Sequence, residues 1–142
     1  MPARKPRSSR VANPARGEMS LTMGGQDFIL RPTHEAVLAI EEELDMSSSQ
    51  IAMASRSMRL KMREVGVIIG ALIRAGAAPG SLDAMVSDVR VAQLIHERGA
   101  FGFYPILAEL FEEIVTGGRD IEGNVVAAAM KSQPTAAPGT GK

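Results

Sequence analysis

Cysteine is absent from the chain, which excludes a disulfide framework, a thiolate metal site and every thiol nucleophile. An intracellular origin, in the cytoplasm, is the natural expectation. Tryptophan is absent too, and Tyr104 with four phenylalanines brings the aromatics to only 4% of residues. A middle rich in Ala, Val, Ile, Leu and Met but this poor in aromatics favours helices over a β-sandwich. Long apolar runs are also missing. The most apolar stretch, residues 65–73, is well short of the ~20 residues that cross a bilayer, so no membrane association is expected. The start, Met1-Pro2-Ala3-Arg4-Lys5-Pro6, has the positive charge of a secretory leader, yet no apolar stretch follows before Gly17.

Negative charge is missing from one end. Arg4, Lys5, Arg7, Arg10 and Arg16 place five cations and no acid in the first sixteen residues, although the 142-residue chain has zero net charge and everything after that point is net acidic by five. Such an arm buries too little apolar surface to order itself, so residues 1–17 read as a disordered basic arm. Residues 18–118 read as a β-hairpin plus helical domain. Residues 119–142 read as a flexible tail with a short apolar patch, Val125-Val126-Ala127-Ala128-Ala129-Met130.

What is present begins with Met19-Ser20-Leu21-Thr22-Met23, Gly24-Gly25 and Gln26-Asp27-Phe28-Ile29-Leu30, two strands around a two-residue turn that tolerates positive φ. With Gly24 and Gly25 as the loop, Met23 faces Gln26, Leu21 faces Phe28 and Met19 faces Leu30. Met19, Leu21, Phe28 and Leu30 then share one face, with Ile29 the exception on the other. An isolated hairpin is marginal in water, so this face must rest on something.

Pro32 ends the second strand, Thr33 can cap a helix with Glu35 in its first turn, and Val37, Ile40 and Leu44 form a stripe. Ser47-Ser48-Ser49 offers a break and a fresh cap for a helix with Ile51, Ala54 and Met58 on one side. A stronger helix over 61–74 carries Met62, Val65, Ile68, Ile69 and Leu72. Ser81 caps a further helix presenting Leu82, Met85, Val86, Val89, Ala92 and Ile95, which Gly99 closes. The last helix starts near Tyr104-Pro105, presents Ile106, Leu107, Leu110, Phe111 and Ile114, and stops at Gly117-Gly118. The fold class is therefore mainly α with a small N-terminal β-hairpin (α+β), a short bundle of about five helices packed on the hairpin. Gly66 and Gly70, four apart in the central helix, suggest close helix packing within the chain, since each glycine costs roughly 1 kcal/mol there relative to alanine.

Chemistry is sparse. His34-Glu35 and His96-Glu97 lack the second histidine that helical zinc sites place four residues on, because Leu38 and Ala100 stand there. Gly139-Thr140-Gly141-Lys142 lacks the upstream spacing and following helix of a phosphate loop. Glu41-Glu42-Glu43 with Asp45 fans around a helix and reads as a solvated face. No catalytic, cofactor or metal site is expected, and the chain reads as a non-enzymatic interaction protein. The basic arm is the one nucleic-acid feature. It lacks interleaved aromatics, so a solubilising arm is preferred to DNA binding, and a DNA-associated helical regulator is the remote alternative.

From Leu21-Thr22-Met23-Gly24-Gly25-Gln26-Asp27-Phe28-Ile29-Leu30-Arg31-Pro32-Thr33-His34-Glu35-Ala36 on to Ile40-Glu41-Glu42, the chain resembles small proteins of tailed phages and gene transfer agents. The family is the gene-transfer-agent type of phage tail assembly chaperone, also labelled a phage tail tube protein. Val65-Gly66-Val67-Ile68-Ile69 leading to Ala75-Gly76, and the Thr116-Gly117-Gly118 ending, are similar too, so the resemblance spans roughly residues 18–118. It implies a cytoplasmic protein of a bacterial host, encoded by a phage, prophage or gene transfer agent. Such a protein binds the tape measure protein and keeps it soluble while tail tube subunits assemble around it. A structural tail tube component is the nearest rival. Tape measure protein and tail tube subunits are the expected partners, and self-association into a homo-oligomer is compatible with either role. The candidate partner contacts are the hairpin face, Met19, Leu21, Phe28 and Leu30, and the tail patch, Val125, Val126 and Met130, both chosen for expected exposure.

Overall fold

The computed structural model describes residues 11–118 and residue 122. Strands β1 (Met19–Met23) and β2 (Gln26–Leu30) pair antiparallel in the expected register, Met19 opposite Leu30, Leu21 opposite Phe28 and Met23 opposite Gln26. Gly24 and Gly25 both have positive φ, 57° and 75°, as the right-handed twist of a tight hairpin requires. Leu21, Met23, Phe28 and Leu30 are buried, and Thr22 Oγ1 donates to Asp27 Oδ1 at 2.6 Å on the opposite face. Ile29, the pattern's exception, is half-buried where the hairpin meets Gly76.

Five helices follow: α1 (His34–Leu44), α2 (Ser48–Arg56), α3 (Met62–Gly76), α4 (Asp88–Arg98) and α5 (Phe103–Thr116). Thr33 caps α1 by accepting from Ala36 N at 3.1 Å. Ser47 caps α2 in a reciprocal box with Gln50. The acidic run at the end of α1 has structural partners: Glu41 Oε2 accepts from both Ser48 N and Ser48 Oγ at 2.8 Å, and Glu43 pairs with Arg63 at 2.8 Å. Acids that oppose the dipole of α1 thus satisfy the start of α2 and meet α3. Of the expected stripe on α2, Ile51 is buried and Ala54 packs against the core beside the buried Ala52 and Ser55, but Met58 is exposed, because the helix ends at Arg56 before Met58 can join.

Central to the core is α3, with Val65, Ile68, Ile69 and Leu72 inaccessible to solvent and contacts to α1, α4 and β2. The hairpin, α3, α4 and the α2–α5 pair contribute to one continuous hydrophobic cluster. Gly66 and Gly70 lie where α4 crosses α3; a Cβ on Gly66 would stand 2.9 Å from Ala92 Cβ. The expected intrachain packing is therefore real, and its neighbour is α4.

Two further expectations are corrected. The helix expected from Ser81 breaks: Ser81 Oγ accepts from Ala84 N at 3.3 Å over no more than a 3-10 turn at Asp83–Met85, Val86 is extended, and α4 starts after Ser87, whose hydroxyl accepts from Arg90 N at 3.0 Å. Arg74 Nη1 holds the break open by donating to Val86 O at 2.8 Å while lying 2.9 Å from Asp88 Oδ1. The buried face of α4 becomes Val91, Leu94 and Ile95, leaving Leu82, Met85 and Val89 exposed. The basic arm is also shorter than its reading to residue 17. Asn13 caps a 3-10 turn at Pro14–Arg16, and the buried Glu18 carboxylate accepts from Asn13 N at 2.9 Å. Residues 1–10 and most of the expected tail lie outside the described residues.

Candidate functional site

The hairpin residues are placed inside the molecule. Leu21, Phe28 and Leu30 are buried in the common core and Met19 packs against it, so the apolar face expected to be available is covered by the chain itself. Its outer edges are engaged as well: Arg98 Nη1 donates to Thr22 O at 2.9 Å, and Ile29 O abuts Gly76. Val125, Val126 and Met130 lie outside the described residues. Neither group brings an exposed surface to the described part of the molecule.

A partly apolar groove lies instead between the end of α2 and the first half of α5. An open groove of about 540 Å³ is lined by Met58, Phe101, Tyr104, Pro105, Ile106 and Ala108, with Ser55 also in its wall and Arg56, Glu109 and Glu112 at its polar margin. Its shape follows from local sequence. Helix α2 ends in a paired closure in which Met58 N donates to Ser55 O and Arg59 N donates to Ala54 O, a geometry that puts the intervening residue in the left-handed region. Glycine normally fills that position. Here it is Met58, at φ 57° and 52% exposed.

Across the groove, Phe101 is 77% exposed in the turn before α5. Pro105 falls in the first helical turn, where its missing N–H is harmless. The Tyr104 hydroxyl donates to Leu60 O at 2.8 Å, fixing the ring as groove wall with its polar tip satisfied. Ser55 Oγ likewise donates to Ile51 O at 2.7 Å. Arg56 and Glu112 form an ion pair across the rim. Both are substantially exposed, so it contributes at most ~1 kcal/mol and serves mainly to join α2 and α5.

This arrangement can receive an apolar segment. Its hydroxyls are committed to backbone carbonyls, and among the described residues no three His, Asp or Glu side chains gather as a metal site would require. His34 and His96 are exposed on α1 and α4. No helix among the described residues is long and apolar enough to cross a membrane. A non-glycine residue held at positive φ costs ~1–2 kcal/mol, and local strain of this kind concentrates at functional surfaces. Met58→Gly should therefore raise stability by about 0.5–1 kcal/mol in urea denaturation, net of the greater entropy glycine loses on folding. Met53→Gly, inside α2, should lower it by about 1 kcal/mol.

A family model described as phage tail tube protein, GTA-gp10, matches residues 16–117. The chain belongs to this family. No curated protein and no solved structure matches it. The matched span of the phage tail protein runs from the N-terminal 3-10 turn to the cap of α5, and so contains the hairpin, all five helices and every residue of the groove. A tail-related role follows from membership. The hairpin-to-helix stretch that carries the resemblance is the core module, whereas the groove, built from residues some fifty apart, carries no motif. Sequence reasoning missed the groove, and its only advance signal was Phe101 between Ala100 and Gly102, an aromatic in a segment too small-residued to bury it.

Proposed function

We propose that this tail protein is an assembly chaperone that binds the tape measure protein during tail assembly, in the cytoplasm of the bacterial host, and acts by binding and not by catalysis. The observation that carries the reading is the α2–α5 groove within a phage-tail family domain. A soluble holder of a long apolar helical client needs adaptable apolar surface, and methionine and aromatic side chains supply it. The strained Met58 adds support, because a stability optimum would place glycine there.

The second reading, a structural tail tube component, is favoured by the wording of the family description. Tube subunits that join by strand addition need open sheet edges. In this chain the Thr22 carbonyl is taken by Arg98 and the Ile29 carbonyl is covered at Gly76, which supports the chaperone reading. Co-expression with the tape measure protein of the same tail system should yield a co-eluting complex, and the chain should be missing from finished tails. A clean absence of complex overturns the chaperone reading. Stoichiometric recovery of the chain in purified tails, as rings or tubes, establishes the tube reading instead.

A further inference from the structure

The groove has a candidate occupant in the chain itself. We propose that residues 125–130, Val125-Val126-Ala127-Ala128-Ala129-Met130, fold back in cis into the groove between α2 and α5.

Reach is the first argument. Six residues separate Gly118 from Val125, and six extended residues span up to ~20 Å. Glu109, on the groove margin, lies seven residues before the end of α5, about 10 Å back along the helix axis. The chain also turns at once: Gly117 and Gly118 both take positive φ, 62° and 73°, and Gly118 is buried although Thr116 and Gly117 before it are exposed. At Gly118 the backbone therefore lies against the body of the protein.

Chemistry is the second. Val, Ala and Met are slim enough to lie along a shallow trough whose walls are Met58, Phe101 and Ile106. Lys131, directly after the run, meets a margin that bears Glu109 and Glu112. A second exposed apolar group, Leu82, Met85 and Val89, sits on the 3-10 turn and the start of α4, an element packed chiefly on α3.

Mass action is the third. A short tether gives an effective concentration of roughly 1 mM, so a segment with a Kd of only ~0.1 mM would fill the groove about nine-tenths of the time. Any external apolar partner of the groove would have to displace it.

The absence of cysteine makes the test clean. In the full chain, the pair Glu109→Cys with Ala128→Cys should close to an intramolecular disulfide about tenfold faster than the control pair Val89→Cys with Ala128→Cys. Equal rates for the two pairs, or disulfide-linked dimers in place of closed monomers, overturn the proposal. A second readout leaves the groove intact. Tyr104 is the single tyrosine and no tryptophan is present, so ultraviolet emission reports the groove wall alone. In the full chain, Val125→Asp with Val126→Asp should raise iodide quenching of that emission about twofold, the mark of a wall whose apolar cover has been removed. Unchanged quenching overturns the proposal. Neither measurement involves a tail partner, so failure here leaves the chaperone reading standing, and failure of that reading leaves this one standing.

Discussion

Replacing Phe111 by alanine should lower the unfolding free energy by about 3–5 kcal/mol, the range for truncating a buried phenylalanine. Phe111 has no solvent exposure, belongs to the central cluster and lies on α5, whose main partner is α2. The substitution removes the ring's transfer free energy and leaves a cavity that neighbouring helices close only in part. Domains of this size are stable by ~5–15 kcal/mol in total, so the loss is a large share of the whole, and the melting temperature should fall by roughly 15–30 °C. Phe101→Ala provides the contrast. Its ring is 77% exposed on the groove, so stability should change by no more than about 0.5 kcal/mol. The two variants separate folding from binding: Phe111→Ala weakens partner capture through unfolding, whereas Phe101→Ala should weaken it in a fully folded protein. Equal destabilisation by the two would mean that the groove is part of the core.

The same division explains which features were legible in the sequence. The hairpin register was, because a two-residue Gly-Gly loop leaves one pairing and period-two alternation allows no slip without exposing Leu21 and Phe28. The Thr33 cap was, and so was a cap within Ser47-Ser48-Ser49, which the structure places at Ser47, because a cap is a local interaction between near neighbours. The start of α4 was not. Ser81 and Ser87 are both competent caps, and Leu82, Met85, Val86 and Val89 have helical spacing by themselves. What decides between them is distant: Arg74 on α3 grips Val86 O, and Gly66 and Gly70 admit α4 only where Ala92 and Asp88 face them. The early end of the arm had a local sign, Asn13 before Pro14 with Gly17 after, but its anchor, the buried Glu18 close to Arg31, is tertiary. The groove was the least legible feature. Its two walls come from separate elements, and the left-handed turn at Met58 places in solvent a side chain whose spacing puts it in the core.

The contrast between the two central glycines gives a sign test of how α3 and α4 fit. Gly66→Ala should be destabilising by about 1–2 kcal/mol: overpacking costs ~1–3 kcal/mol, and the better helix propensity of alanine returns about 1 at most. The new Cβ would meet Ala92 Cβ at 2.9 Å, Asp88 O at 3.2 Å and Ala92 Cα at 3.3 Å, atoms fixed to the backbone of α4, so the whole helix would have to shift. Gly70→Ala should be neutral or stabilising by up to about 1 kcal/mol. The atoms nearest its Cβ would be side-chain ones, Asp88 Oδ1 and Cγ and Arg74 Nη1, which can swing aside. The Arg74–Asp88 ion pair they form is partly exposed and contributes at most ~1 kcal/mol, although the Arg74 bond to Val86 O must survive the movement for α4 to keep its start. Urea midpoints with unchanged slope would read both effects as stability alone. If Gly70→Ala proved the more damaging, the Arg74 clasp and not the closeness of the two backbones would be what fixes α4 against α3.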